Sequence, residues 1–376
     1  MRRSADAILT THTGSLPRPD DLVELLYSED DARSREVNAR VRQAVAESVR
    51  QQIDAGLDVV NDGEMSKVSY STYVYARLTG FESHVQAQRY PRADAAAFPR
   101  YAEWNARTQQ GAARINRYAC TGPVRYVGQA LLQDDIDNLR SALADAPSQE
   151  AFMTAASPGV IAWFQPNQYY PSDAAYLEVL AEVMREEYEA IVEAGFLLQL
   201  DCPDVALAAN APTGVALASI GERIDALNAA VRNIPADRMR LHLCWGNYEG
   251  PHQTDVPLRD ILSDMLRAKP QAISFEGANP RHEHEYAVFA EIQLPTDKLI
   301  IPGVLDTTTN YIEHPELVSQ RLVRYAQLVG REQVIAGADC GFGTFAGTPM
   351  VHPDIVFAKL AALVEGARRA SHQLWS

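Results

Sequence analysis

Short apolar runs of four to six residues alternate with longer amphipathic stretches along most of the chain. Runs of this kind are typical of buried parallel strands, and the amphipathic stretches are typical of helices. The predicted strands are Ile8 to His12, Leu57 to Asn61, Tyr118 to Thr121, Leu197 to Asp201, Met239 to Cys244, Ala272 to Glu276, Leu299 to Val304 and Val334 to Asp339. The predicted helices are Ser34 to Ala55, Asp173 to Ala194, Ile220 to Val231, Leu258 to Ala268, His282 to Gln293, Pro315 to Leu328 and Pro353 to Arg369.

This alternation predicts an α/β protein, a single (β/α)8 TIM barrel that spans residues 1–376 as one catalytic domain. Two connections are long, an elaborated insertion at about 65–116 and a second one at 124–196. Both would follow the C-terminal ends of strands, so we expect long loops over that face of the barrel. An open, doubly wound sheet is the alternative, but no glycine-rich phosphate turn follows the first strand.

The charge balance narrows the set of partners. Lysine and arginine number 34 against 49 aspartates and glutamates, which gives a net charge of −15. A nucleic-acid partner would need a basic surface, so we expect none. We also expect no signal peptide and no membrane contact, a cytoplasmic location and small-molecule substrates, while a homo-oligomer stays possible. Four cysteines in so long a chain favour metal binding or catalysis over disulfide bridging.

Candidate metal ligands stand at the ends of three predicted strands. His242 and Cys244 are two residues apart, so they share one face of a strand. Glu276 ends the next strand and Cys340 ends the last one, and a barrel brings such ends around one mouth. Nitrogen and sulfur donors together are typical of Zn²⁺, with the carboxylate as a weaker, exchangeable ligand. The alternative is that the His-x-Cys pair only fills the core.

Acidic residues at other strand ends are candidates for substrate binding. Glu64 and Asp201 would face one cavity and bind an ammonium or guanidinium group, or else cap a helix or pair with Arg18. Asp306 begins a polar loop that either binds substrate or caps the following helix.

Four further residues are predicted to lie outside the chemistry. His282 and His284 suggest a second metal site, but residues two apart diverge on a helix, so we expect a solvated helix start. Cys120 and Cys202 are predicted to be small buried fillers beside the site.

An ordered set of short motifs resembles the catalytic barrel of cobalamin-independent methionine synthase. The resemblance covers nearly the whole chain. It is carried by Thr13-Gly14-Ser15-Leu16-Pro17-Arg18, Asp62-Gly63-Glu64, Thr121-Gly122-Pro123-Val124, Gln199-Leu200-Asp201, His242-Leu243-Cys244, Ser274-Phe275-Glu276, Pro302-Gly303-Val304-Leu305-Asp306 and Asp339-Cys340-Gly341. The resemblance implies methyl transfer to the zinc-bound thiolate of homocysteine.

The same resemblance implies residue roles. His242, Cys244, Glu276 and Cys340 would be the zinc ligands. A second set, which would hold the amino-acid part of homocysteine, comprises Ser15, Glu64 and Asp201. The donor stays open, because Arg125 to Gln129 lacks a tryptophan that the family uses to hold folate, and Thr308 stands where the family has a histidine.

A related reaction is the alternative. Epoxyalkane:coenzyme M transferase resembles this chain in its His-x-Cys and distant Cys, and it opens an epoxide with a zinc-activated thiol. Arg18 and Arg125 are candidates for binding the sulfonate of that thiol, and Tyr169 or Tyr170 for protonating the product. Taken over both reactions, the predicted catalytic residues are Glu276, Asp306 and Tyr169. The acidic pair at the strand ends favours an amino-bearing thiol.

Overall fold

A curled parallel sheet organises the fold. The computed structural model describes residues 1–28, 34–83, 97–108, 118–209 and 218–376. Six parallel strands pair in the order β1-β4-β5-β6-β7-β8, and β2 pairs with β3 in a separate two-stranded antiparallel sheet. The strands are β1 (Val59–Asn61), β2 (Phe81–Ser83), β3 (Tyr118–Cys120), β4 (Glu150–Ala156), β5 (Leu197–Asp201), β6 (Met239–Leu243), β7 (Ala272–Phe275) and β8 (Leu299–Pro302).

Two short segments, 8–11 and 334–337, complete the ring between β8 and β1. Segment 334–337 forms parallel bridges to β8 and to Thr10, which pairs with Ala336. The carbonyl oxygen of Thr10 then accepts hydrogen bonds of 3.1 Å from the amides of Asp58 and Val59, at the start of β1. Eight parallel segments thus surround one interior, and the predicted barrel is confirmed.

The predicted third barrel strand is wrong. Tyr118–Cys120 instead belongs to the two-stranded sheet, where Cys120 pairs with Phe81, so this cysteine does not end a barrel strand. The true third strand is β4, which pairs with β1 on one side and β5 on the other. Its sequence, EAFMTAA, contains three alanines, a residue type depleted in strands, and it lies within the predicted connection 124–196.

Eleven α-helices occur among the described residues, and most begin where the amphipathic pattern predicts. They are α1 (Asp20–Leu26), α2 (Ser34–Asp54), α3 (Pro99–Thr108), α4 (Gln129–Ala142), α5 (Pro158–Phe164), α6 (Asp173–Glu193), α7 (Asp204–Ala209), α8 (Ile220–Ala230), α9 (Leu258–Arg267), α10 (Pro315–Val329) and α11 (Pro353–Trp375). The helix predicted at His282 to Gln293 is instead a 3-10 helix, Glu283–Ala290. No described helix has the length and apolar character to span a membrane.

Polar side chains cross the barrel interior and hold segment 8–11 in the ring. Arg240 on β6 donates to the Thr11 hydroxyl (2.9 Å) and to the His12 carbonyl oxygen (2.7 Å). Its guanidinium also lies 4.1 Å from the centre of the Phe152 ring. Gln199 on β5 donates to the Thr13 carbonyl oxygen. These contacts hold Thr11 by its side chain and give hydrogen-bond partners to the carbonyl oxygens of His12 and Thr13, the two buried residues that follow the segment.

A buried ion-pair network anchors the described part of the insertion to the barrel helices. Arg77 lies 2.5 Å from an oxygen of Asp135 on α4 and 3.1 Å from an oxygen of Glu187 on α6. The Glu187 carboxylate also accepts hydrogen bonds from Tyr73 and Tyr126. The predicted insertion residues 84–96 and 109–116 lie outside the described part of the chain.

A glycine on α11 tests how closely the last two helices pack. A Cβ on Gly366 would lie 2.4 Å from Val318 Cβ on α10 and 2.9 Å from the Pro315 carbonyl oxygen. We predict that Gly366→Ala lowers the free energy of unfolding by about 1–2 kcal/mol, because overpacking outweighs the gain in helix propensity. The measurement is the urea unfolding midpoint.

Gly221→Ala on α8 is the matched control, since the nearest atom to a Cβ there is Arg267 Nη1 at 3.7 Å. With that space, we expect a gain of up to about 1 kcal/mol from helix propensity. Equal effects of the two substitutions would contradict the close packing of α10 and α11.

Candidate metal centre

Three side chains that can bind metal converge at the C-terminal mouth of the barrel. His242 lies on β6, Cys244 follows that strand, and Cys340 follows segment 334–337. One ligand atom from each lies within 4.8 Å of the others, and all three residues are buried. The part of the chain that the structure describes contains no other group of this kind. Cys120 and Cys202 are free, buried and outside it, as predicted.

The imidazole of His242 has one ring nitrogen available to bind a metal. Its Nε2 is buried and has no hydrogen-bond partner, whereas Nδ1 lies 3.2 Å from the Ser274 hydroxyl. Burial lowers the pKa of His242 to about 4, so the ring is neutral at pH 7. A neutral imidazole with one nitrogen orphaned and the other held by a hydrogen bond is the form that binds a metal.

The two thiols need a cation if both are to ionise. The hydrogen bond with Cys244 and burial both raise the pKa of the Cys340 thiol well above its usual range. A divalent metal would reverse this balance, because thiolates are stabilised by direct coordination. One nitrogen and two sulfur donors fit zinc better than a hard cation such as Mg²⁺.

Glu276 stands beside this group and is tethered at both oxygens. Its Oε1 accepts a hydrogen bond of 2.7 Å from the Trp245 amide, and its Oε2 accepts one of 2.7 Å from Asn279 Nδ2. Burial, and then the neighbouring Cys244, raise the pKa of this carboxyl well above its usual range. Its place as a fourth ligand stays a prediction.

Asp339 holds the loop that carries the Glu276 tether. Its carboxylate accepts hydrogen bonds of 2.8 Å from the amides of Gly277, Ala278 and Asn279, and one of 3.1 Å from Asn279 Nδ2. The residue before Cys340 therefore fixes the loop after Glu276. Sequence reasoning missed this role, because an aspartate next to a candidate ligand gives no sign of which loop it binds.

Ser15 lies next to the segment that carries Cys340. Its carbonyl oxygen accepts a hydrogen bond of 2.8 Å from the Phe342 amide. A Cβ on Gly341 would lie only 2.0 Å from Ser15 Oγ, so the serine hydroxyl occupies the space of the missing side chain. The predicted substrate residue is thus in contact with the segment that carries the candidate ligand Cys340.

Glu64 and Asp201 bring two carboxylates into the same mouth. Glu64 has a left-handed backbone (φ 57°) and a buried Oε2 without a hydrogen-bond partner. Asp201 accepts a hydrogen bond of 2.8 Å from Gln199. Burial, and then the charge of Glu64, raise the pKa of Asp201 to about 7. Two such carboxylates favour a cationic ligand.

The two candidate arginines differ in their surroundings. Arg18 is buried and donates to the carbonyl oxygens of Glu64 and Gly343, while its Nη2 lies 3.8 Å from Glu64 Oε2. It therefore joins the two loops that follow β1 and Cys340. Arg125 is exposed, and its backbone amide and carbonyl oxygen form hydrogen bonds with Thr79, near the two-stranded sheet of β2 and β3. It does not belong to the buried group around the strand ends.

Asp306 and Tyr169 have local roles in the structure. Asp306 accepts hydrogen bonds from the backbone and hydroxyl of Thr308 and from the Thr309 hydroxyl, which organises the loop after β8. Tyr169 is half exposed, and its ring packs edge-on against Tyr170 at 5.1 Å. Their catalytic roles stay predictions.

The expectation for His282 is wrong. This residue is buried, and its ring stacks on Trp245 at 4.1 Å. Burial opposes its charge, but hydrogen bonds to Asp255 and Glu285 raise the pKa of His282 to about 10. The spacing of Glu285 three residues after His282 is the signal that could have revealed it. His284 is exposed, as expected.

Known proteins with the same architecture identify the family. Residues 140–368 match the family model described as "Cobalamin-independent synthase, Catalytic domain". A methionine synthase from Thermococcus kodakarensis is 23% identical over 368 residues, which cover 97% of this chain and 94% of the relative. The corresponding protein from Pyrococcus furiosus is 24% identical over 371 residues, 97% of this chain and 93% of the relative.

A solved structure shows the same fold. A B12-independent methionine synthase from Shewanella sp. W3-18-1, in complex with selenomethionine, superposes with a TM-score of 0.75 at 19% identity. The match covers 98% of this chain and 99% of that one. The family match extends over more than half of the chain, across the strands that carry His242, Cys244 and Cys340. The chain belongs to the cobalamin-independent methionine synthase family.

Proposed function

We propose that this chain is a zinc-dependent methyltransferase that methylates the thiol of homocysteine or a close analogue. The observation that carries the proposal is the buried group of His242, Cys244 and Cys340, whose ligand atoms lie within 4.8 Å of one another. Membership of the methionine synthase family supports the reaction class. The whole chain would act as one catalytic barrel.

The donor set supports zinc and leaves room for a substrate thiol. Structural zinc sites have four protein ligands, whereas catalytic sites keep one position for water or substrate. Glu276 would fill that position in the absence of substrate, and its tethers to Trp245 and Asn279 would hold it nearby after release. Zinc bound there would lower the pKa of an incoming thiol and yield a nucleophile at neutral pH.

The acidic pair supports an amino-bearing thiol. Glu64 Oε2 has no hydrogen-bond partner, and after burial the nearby charge of Glu64 is what raises the pKa of Asp201. An ammonium group between them would relieve that repulsion, whereas the sulfonate of coenzyme M would add to it. Arg18 Nε and Nη1 donate to backbone carbonyl oxygens, and its Nη2, which has no hydrogen-bond partner, lies 3.8 Å from Glu64 Oε2, so the Arg18 charge is already paired with a carboxylate.

The residues would divide the work of transfer between them. Ser15, Glu64 and Asp201 orient the amino-acid part so that the sulfur points at the donor carbon. A new S–C bond forms as the donor's bond to the methyl carbon breaks, and the electron pair of that bond stays with the donor. The thiol proton leaves to solvent. Asp306 is proposed to contact the substrate, whereas Tyr169 and Arg125 would act in the epoxide alternative, as a proton donor and a sulfonate ligand, and the methyl donor itself is open.

Zinc content tests the metal claim. We predict that the wild type binds about one zinc per chain and that Cys340→Ser lowers zinc affinity by more than the roughly 10- to 100-fold typical of losing an outer-shell partner. The measurement is metal content by mass spectrometry, followed by competition with a chelator.

Cys202→Ser is the matched control, because the Cys202 thiol is buried, donates to the Leu200 carbonyl oxygen at 3.6 Å and does not belong to the candidate metal group. It should retain zinc. Equal zinc in the Cys340→Ser variant and the wild type would rule out Cys340 as a ligand.

A panel of thiols tests the substrate. We predict that homocysteine binds the zinc-loaded protein and releases about one proton per site at pH 7, because the thiol ionises on binding. Calorimetry in buffers of different ionisation enthalpy measures the proton count. Coenzyme M and glutathione should bind more weakly. Binding of coenzyme M alone would favour epoxide opening, and no thiol binding would leave a non-catalytic zinc barrel.

A further inference from the structure

A three-residue hydrogen-bond chain ends on the carboxylate that faces the proposed ligand. Lys67 Nζ donates to Thr154 Oγ1 at 3.0 Å, and Thr154 Oγ1 donates to Glu64 Oε1 at 2.9 Å. All three residues are at least 97% buried. Thr154 lies on β4, the strand that the sequence pattern did not predict, and Lys67 lies three residues after Glu64.

The direction of this chain is fixed by the chemistry of its first member. An ammonium group has three donors and no acceptor, so Thr154 Oγ1 can only accept from Lys67. The single hydroxyl hydrogen of Thr154 is then free to point only at Glu64 Oε1, which must accept it. The other oxygen, Oε2, has no hydrogen-bond partner and lies 3.8 Å from Arg18 Nη2 in an ion pair, so it can still accept a hydrogen bond from a ligand.

Lys67 is held so that it cannot replace the ligand. Its Nζ also donates to the Thr154 carbonyl oxygen at 2.6 Å and lies 4.4 Å from the centre of the Tyr73 ring. Its own amide donates to the Glu64 carbonyl oxygen at 3.0 Å, which closes the turn between them. The ammonium is therefore anchored on β4, and it reaches Glu64 only through the threonine hydroxyl.

The backbone of Glu64 is fixed independently of its side chain. Its amide donates to Asp62 Oδ1 at 3.0 Å, and its carbonyl oxygen accepts from Arg18 as well as from Lys67. The carboxylate has only one hydrogen bond, the one from Thr154. That hydrogen bond to Oε1, together with the 3.8 Å ion pair between Oε2 and Arg18 Nη2, sets the orientation of the carboxylate.

We propose that Thr154 and Lys67 are positioning residues that orient Glu64 to receive the ammonium group of the amino-acid thiol. This inference rests on the proposed function, in which Glu64 binds that ammonium. It makes selectivity for an amino-bearing thiol depend on a hydroxyl that does not itself touch the ligand. Gly14 allows the arrangement, because a Cβ there would lie 2.7 Å from Thr154 Cγ2 and 3.1 Å from Glu64 Oε1.

The test compares two thiols that differ only in the amino group, homocysteine and 4-mercaptobutanoate. Calorimetry with zinc-loaded protein measures both affinities. We expect Thr154→Val to weaken homocysteine about tenfold, the order of one hydrogen bond to a charged group. It should leave 4-mercaptobutanoate unchanged, and Thr154→Ser should rescue homocysteine binding. Lys67→Met should weaken homocysteine selectively by about threefold, since the hydroxyl then loses its fixed direction.

Each outcome separates this inference from the function beneath it. Equal loss of both thiols in Thr154→Val, or no loss of either, overturns the positioning role while homocysteine binding by the wild type stands. Failure of the wild type to bind homocysteine overturns the proposed function itself. If Thr154→Val does not fold, as judged by its thermal transition and zinc content, Lys67→Met is read by the same two-thiol comparison.

Discussion

The closure of the ring at segment 8–11 is the constraint on which the rest of the structure depends. This segment has only a few backbone hydrogen bonds to its neighbours, so Arg240 and Gln199 reach across the interior to hold it. Closure places Ser15 beside Gly341 and so brings the segment with Cys340 to the same mouth as β6. In an open sheet, β7 and β8 would separate Cys340 from Cys244.

Six of the eleven described α-helices and most strands could be predicted from the sequence, because each buries one regular face. These six helices begin at the predicted residues, and five of them end within one residue of the prediction, whereas α11 continues six residues further, to Trp375. The strand β4 could not be predicted, because Ala151, Ala155 and Ala156 carry little β propensity and owe their state to neighbours on both sides. The site followed the same division. The candidate ligands at strand ends could be predicted from the pattern. The environments of Thr154 and His282 could not, because they are set by contacts with residues distant in sequence.

The mouth has a metal side and a ligand side, and in both of them burial and close spacing disfavour ionisation of acidic groups. The metal side gathers two thiols and the Glu276 carboxyl, whose pKa values burial and proximity raise. The ligand side gathers two carboxylates, of which Asp201 is raised in the same way. Both halves therefore favour a cation, and on the ligand side Arg18, whose Nη2 lies 3.8 Å from Glu64 Oε2, already supplies part of that charge. Under the proposed function, the metal would compensate the negative charge on the metal side, and the ammonium of the substrate would compensate it on the ligand side.

Under the proposed function, the two halves also limit the size of the substrate. Asp201 and His242 are paired in register on β5 and β6, so their backbones are about 4.8 Å apart, the spacing of neighbouring strands. A ligand that reaches the metal at His242 with sulfur and Asp201 with nitrogen must therefore be short. A few carbons between thiol and amine satisfy this, whereas a tripeptide thiol places its free amine much farther from sulfur. Strand register, rather than any single side chain, would then select a small amino thiol.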